Sequence, residues 1–176
     1  MTGWRPKLEE MGGPQIPVSP ARHARQASPG DDESPVIRVL IAEDAAVVRD
    51  TLVSLLGLEP DIEVAAAVAT GDQIVPAALQ HRPDVALLDI GLPGVDGLTA
   101  AGELRTRLPS CRVLILTGLD APANLDAALR AGVRGFLLKD EPAGELIGAV
   151  RAVARGAQVI DSRLAGLARR PDEDPG

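Results

Sequence analysis

Five residues of this chain could act together chemically: Glu43, Asp44, Asp89, Thr117 and Lys139. Each closes or follows a short apolar run. Glu43-Asp44 follow 36–42, Asp89 follows Val85-Ala86-Leu87-Leu88, Thr117 follows Val113-Leu114-Ile115-Leu116, and Lys139 follows Gly135-Phe136-Leu137-Leu138. Apolar runs of this length read as strands buried on both faces. A carboxylate at the end of a buried strand is costly unless something neutralises it. Three carboxylates brought together repel one another and call for a cation. The donors are hard oxygens without His or Cys beside them, which suits magnesium. A divalent cation, an ammonium, a hydroxyl and a reactive carboxylate suit a phosphoryl group. Aspartate can itself become the acceptor, as an aspartyl-phosphate. Asp89 is the candidate, because it opens the Gly/Pro loop Ile90-Gly91-Leu92-Pro93-Gly94-Val95-Asp96-Gly97 between the acidic pair and Thr117/Lys139. Each residue alone also has a plainer reading. Asp89 could cap the next turn, Glu43-Asp44 could favour a helix N-terminus, Thr117 could be a turn hydroxyl, and Lys139 a solvated charge.

Elements must bring these positions to one place. Val48, Leu52, Leu55 and Leu56 share a helical face after the first run. Ile62 to Val68 reads as a second strand, and 72–81 as a short helix ended by Pro83. Leu98 to Leu108 is a helix ended by Pro109. Asp120 and Pro122 look like a cap and a first-turn proline for the next helix, and Asp140 and Pro142 open the last one, which carries Leu146, Val150, Val153 and Ala154. Strand and helix thus alternate five times. Strands that are apolar throughout predict an α/β fold with a parallel sheet covered on both faces. Right-handed crossovers favour a five-stranded doubly wound sheet in the order 2-1-3-4-5. In such a sheet all strand C-termini emerge on one edge, so the five residues converge there.

Composition sets limits on function. The chain has 176 residues, of which 45% are hydrophobic and only 1% aromatic, so the core must be built from Val, Leu, Ile and Ala. Eighteen basic residues against 25 acidic give a net charge of −7, a poor balance for direct binding to nucleic acid. The single cysteine, Cys111, excludes an internal disulfide and reads as a small core or edge residue. No apolar run is long enough to span a membrane, and the N-terminus lacks the apolar core of a signal peptide. A cytoplasmic protein is the expectation.

The motifs reach a known family. Ile41-Ala42-Glu43-Asp44, Leu87-Leu88-Asp89-Ile90 with Leu92-Pro93-Gly94-Val95-Asp96-Gly97, Leu116-Thr117-Gly118, and Gly135-Phe136-Leu137-Leu138-Lys139 together resemble the receiver domain of bacterial two-component response regulators, a flavodoxin-like (βα)5 fold. The stretch from Ala131 to Asp140 resembles the LuxR/NarL-type subfamily. The resemblance implies that Asp89 accepts phosphate from a sensor histidine kinase. It implies that Glu43, Asp44, Asp89 and the Gly91 carbonyl hold magnesium, that Lys139 holds a phosphoryl oxygen, and that Thr117 and Phe136 switch position. It further implies self-association on phosphorylation and DNA contact only through an output domain. Three departures are mild. Gly91 has no side chain where many relatives carry one, Phe136 replaces the common Tyr, and Ala45-Ala46 follow the acidic pair.

Residues 1–35, rich in Pro, Gly and Ser, are expected to be a disordered extension. The receiver is expected over 36–156, and 157–176 as a linker, with a short helix over 163–169, toward an output domain outside this chain. Two other classes weigh less. A haloacid-dehalogenase-type phosphatase needs a second Asp two residues after the nucleophile, where Gly91 stands. A P-loop binder needs a Gly-rich loop ending in Lys-Ser/Thr after the first strand. A stand-alone or phosphate-independent receiver, acting as a protein–protein interaction module, is the alternative.

Overall fold

Six parallel strands form one sheet in the computed structural model, which describes residues 35–118 and 121–164. The elements are β1 (Ile37–Ala42), α1 (Ala46–Gly57), β2 (Ile62–Val68), a 3-10 turn (Gly71–Gln73), α2 (Ile74–His81), β3 (Val85–Leu88), α3 (Gly97–Arg107), β4 (Arg112–Thr117), α4 (Ala121–Arg130), β5 (Gly135–Leu138), α5 (Ala143–Ala154) and β6 (Val159–Ile160). Their spatial order is β2-β1-β3-β4-β5-β6. The expected doubly wound α/β architecture and the order of its first five strands are observed.

The unbroken apolar runs have a direct cause. Successive side chains of a strand point to opposite faces, and both faces are covered. Leu40, Ala42, Ala86, Leu88, Val113, Ile115 and Phe136 pack with Ile74, Ala78, Ala101, Leu104, Leu125 and Ala128 of α2, α3 and α4. Val39, Ile41, Val85, Leu87, Leu114, Leu116 and Leu137 pack on the other face with Leu52 and Leu56 of α1 and Leu146, Ala149, Val150 and Val153 of α5. Cys111 is buried at the start of β4, and burial pushes its thiol up to about 12, so it stays a neutral packing group.

The sixth strand corrects the expected count of five. β6 pairs Val159 with Gly135 and Ile160 with Phe136. Two residues are too few to show a periodicity, so the chain after α5 reads as a plain tail in sequence. It repeats the strand–helix–strand crossover once more, after a turn at Gly156 with φ of +97°. Leu164, beyond β6, is buried in the same cluster as Phe136. One other detail differs. Helix α5 begins after Pro142 with no side-chain cap, and Asp140 pairs elsewhere. Residues 1–34, Asp120, the side chain of Pro122 and residues 165–176 lie outside the described residues.

One ion-pair cluster ties α5 to the loop between α1 and β2. Arg151 of α5 donates to both carboxylate oxygens of Asp61, from Nε at 2.8 Å and from Nη2 at 2.8 Å, and to Glu59 at 2.7 Å. The hydrogen bond from Arg151 holds the Asp61 carboxyl below its ordinary range. A lowered folded-state value stabilises the fold at pH above the ordinary carboxylate value of about 3.9 and is lost as pH falls through the folded value. Arg151→Met is therefore expected to lower the urea midpoint at pH 7. The two curves should converge as pH falls through the folded value of Asp61. A midpoint difference that persists unchanged into acid would assign the effect to packing of the Arg151 stem instead.

Candidate functional site

Backbone register sets the site before any side chain acts. Ala42 lies opposite Leu88, Leu88 opposite Ile115, and Thr117 opposite Leu138. The next residues leave the sheet together. The Asp89 amide donates to the Ala42 carbonyl at 3.1 Å, and the Lys139 amide donates to the Thr117 carbonyl at 2.7 Å. Glu43, Asp89 and Lys139 thus stand side by side at the carboxyl edge, where open α/β sheets build their sites.

Three carboxylates converge there. Oxygens of Glu43, Asp44 and Asp89 all lie within 4.8 Å of one another. Glu43 is only 2% exposed, and its Oε2 accepts from the Ala45 amide at 3.0 Å. Asp44 is exposed and Asp89 is half-buried. The Lys139 ammonium lies 3.0 Å from Glu43 Oε1 and 3.3 Å from Asp89 Oδ2. Burial works against the Lys139 charge, but its hydrogen bond to Glu43 and the charge of Asp89 outweigh that and raise its pKa. Arg49 donates to the Glu43 backbone carbonyl at 2.9 Å. One ammonium among three carboxylates leaves the cluster short of positive charge. Its donors are all hard oxygens, the set a small divalent cation prefers.

The loop that presents Asp89 is held from behind. Asp96, not Asp89, caps α3, accepting from the Thr99 amide at 2.8 Å. That leaves Asp89 free of a capping duty. The Gly97 amide donates to the Ile90 carbonyl at 2.9 Å, and a Cβ on Gly97 would overlap the Asp89 carbonyl. On the other side the Gly71 amide donates to Pro93 at 2.9 Å, and a Cβ on Gly71 would overlap the Val95 carbonyl. Gly91 is exposed, with open space where a side chain would start.

The structure brings Glu43, Asp44, Asp89 and Lys139 into one cluster. Thr117 is buried at the end of β4 and joined to Lys139 through the main chain. Phe136 is fully buried within β5, in the α2/α3/α4 face of the core. Sequence reasoning missed two contributors. Gly71 reads in sequence only as a turn residue, although its missing side chain is what lets the Asp89 loop approach. Arg163 reads only as part of a linker, yet it binds Asp140 and Glu141, the two residues after Lys139. The polar trio Asp161-Ser162-Arg163 following an apolar pair was the available signal.

Comparison with known proteins bears on this geometry. The sequence profile of the response regulator receiver domain matches residues 39–151. The chain belongs to that family. The receiver is 41% identical over 129 residues to the transcriptional regulatory protein DesR of Bacillus subtilis, covering 73% of this chain and 64% of DesR. It is 38% identical over 129 residues to the oxygen regulatory protein NreC of Staphylococcus epidermidis, covering 73% of this chain and 59% of NreC. The receiver thus spans about three fifths of the length of these relatives. Its fold matches the signal receiver domain of NarL from Mycobacterium tuberculosis with a TM-score of 0.67 and 35% identity, over 70% of this chain and 99% of that one. It also matches a LuxR-family DNA-binding response regulator from Staphylococcus aureus with a TM-score of 0.65 and 28% identity, over 68% of this chain and 99% of that one. The chain is therefore a response regulator receiver domain that resembles those of LuxR-family regulators, and response regulators of this family are signalling proteins. Among the described residues no helix is long and apolar enough to cross a membrane.

Proposed function

We propose that the receiver takes a phosphoryl group on Asp89 from a sensor histidine kinase and that the state of this site sets the activity of a DNA-binding output in the parent protein. The observation that carries the reading is the convergence of Glu43, Asp44 and Asp89 on the Lys139 ammonium at one sheet edge. A carboxylate oxygen of Asp89 attacks phosphorus of a phosphohistidine. The P–N bond breaks, its electron pair returns to the imidazole, and an acyl phosphate remains on Asp89. Lys139 holds a phosphoryl oxygen. Thr117 turns its hydroxyl toward the group, and Phe136 repacks behind it, so a local charge biases a two-state surface.

The donor set fits magnesium, with Glu43, Asp44, Asp89 and the Gly91 carbonyl as the residues that would hold it. Magnesium supplies the positive charge that lets an anionic nucleophile meet an anionic phosphoryl group. The chain catalyses only its own phosphorylation and dephosphorylation. It self-associates when phosphorylated, works in the cytoplasm, and reaches DNA only through the output domain. Residues 1–35 form an extension, 36–156 the receiver, and 157–176 a linker whose first part packs on the domain.

Metal binding is tested by thermal melting with and without magnesium chloride at constant ionic strength. Saturation to about a hundred times the dissociation constant should add about 2.7 kcal/mol of stability, and Asp44→Asn should lose most of it. A melting temperature indifferent to magnesium in the wild type would count against the proposed site.

A further inference from the structure

The segment after β6 grips the chain on both sides of Lys139. On one side, Asp161 is buried, its amide donates to the Phe136 carbonyl at 2.9 Å, and its Oδ2 accepts from the Leu138 amide at 3.2 Å. On the other side, Arg163 forks onto Asp140, from Nη1 at 3.1 Å and from Nη2 at 2.8 Å, and reaches Glu141 at 2.9 Å. Arg163 also closes back on Asp161, from Nε at 3.0 Å and from Nη2 at 3.0 Å. Its own amide donates to Asp161 Oδ1 at 3.0 Å. Lys139 is the single residue between these two anchors. A lone exposed Arg–Asp pair contributes little to stability. This one is bidentate and shares its guanidinium with a buried carboxylate, which fixes geometry as well as charge. Leu164, next in the chain, is buried in the cluster that contains Phe136. Lys139 is thus bracketed in the chain by two residues that Asp161 and Arg163 hold.

We propose that Arg163 is a positioning residue for Lys139, and that residues 161–164 couple the Asp89 site to the chain that continues beyond Leu164. The proposal rests on the reading of Asp89 as phosphoryl acceptor. It adds a route for the signal that runs through the last described segment itself. Coupling of this kind is reciprocal, so whatever fixes 161–164 also changes the site's response.

The full chain, Arg163→Ala and Arg163→Lys test it together, with beryllofluoride plus magnesium as the phosphoryl probe and acetyl phosphate as the donor. In the wild type the amide resonances of Asp161, Arg163 and Leu164 should move with that of Lys139 at the same midpoint. In Arg163→Ala the 161–164 resonances should no longer follow, and phosphorylation should slow by about fivefold or more. Magnesium affinity should stay as in the wild type, since Glu43, Asp44 and Asp89 are untouched. Arg163→Lys should recover only part of the rate, because a point charge cannot span Asp140 and Asp161. Silent 161–164 resonances in a wild type whose Lys139 responds would overturn the coupling and leave the acceptor reading intact. A wild-type rate in Arg163→Ala would overturn the positioning role. Absence of any response to beryllofluoride in the wild type would overturn the acceptor reading and this proposal with it.

Discussion

Asp89→Asn will take up no phosphoryl group from acetyl phosphate or from a kinase, and in the absence of magnesium it will melt at a higher temperature than the wild type. Both effects follow from one change of charge. An amide has the shape of the carboxylate but not its nucleophilic oxygen, so no acyl phosphate can form. The amide also removes one of three negative charges whose oxygens lie within 4.8 Å of one another. The substitution gives up the Lys139–Asp89 ion pair at 3.3 Å, but Lys139 keeps its pair with Glu43 at 3.0 Å, and the repulsion removed between Asp89 and the other two carboxylates outweighs the attraction lost. The stabilising response to magnesium should shrink for the same reason. Phosphate-affinity gel electrophoresis reads the first effect and scanning calorimetry the second. A variant that is phosphorylated normally, or that is less stable without magnesium, would mean that Asp89 is not the acceptor or that the three carboxylates do not repel in the folded chain.

Gly71→Ala will destabilise the fold by about 3 kcal/mol or more, through a contact that involves no reactive side chain. The Gly71 amide donates to Pro93 at 2.9 Å, and the position of its absent Cβ is taken by the backbone of Val95. Backbone cannot rotate away as a side-chain tip can. Either the 3-10 turn at Gly71–Gln73 or the loop from Asp89 to Gly97 must shift. The turn is pinned by Gln73, whose side-chain oxygen accepts from the Ala69 amide at 3.1 Å and the Thr70 amide at 3.3 Å. The loop should therefore give way, and Asp89 with it. Against a total stability of about 5–15 kcal/mol, the loss is large. Gly102, inside α3 with nothing near its Cβ position, is the control. Gly102→Ala should stabilise by about 0.5–1 kcal/mol through helix propensity alone. Urea midpoints of both variants check this. Equal, small effects at the two positions would show that the Gly71 contact is easily relaxed.

What could be read in sequence, and what could not, follows from the range of the contacts. The strands are legible because burial on both faces writes itself locally, as in Val85 to Leu88, where every residue is buried. The acid cluster is legible because a parallel sheet delivers every strand end to one edge, so Glu43, Asp89 and Lys139 meet without any contact being known in advance. Asp140 shows the limit. A polar residue ahead of Pro142 reads as the opening of a helix, and only the fold brings Arg163, 23 residues later, onto it. β6 escaped for a related reason. A two-residue strand carries no period, and its pairing with Gly135 and Phe136 is set by the helix between them. Gly71 is similar. Its role lies in the Val95 backbone, 24 residues away in sequence, and no spacing pattern announces a close approach.

The measurement that tests the reading most directly is the intact mass of the purified chain after incubation with acetyl phosphate and magnesium. One phosphoryl adduct is expected. It should be labile, depend on magnesium, map to the peptide containing Asp89, and be absent from Asp89→Asn. A folded wild-type chain that acquires no adduct would contradict the acceptor role and leave a phosphate-independent interaction module. An adduct that persists in Asp89→Asn would place the chemistry on another carboxylate.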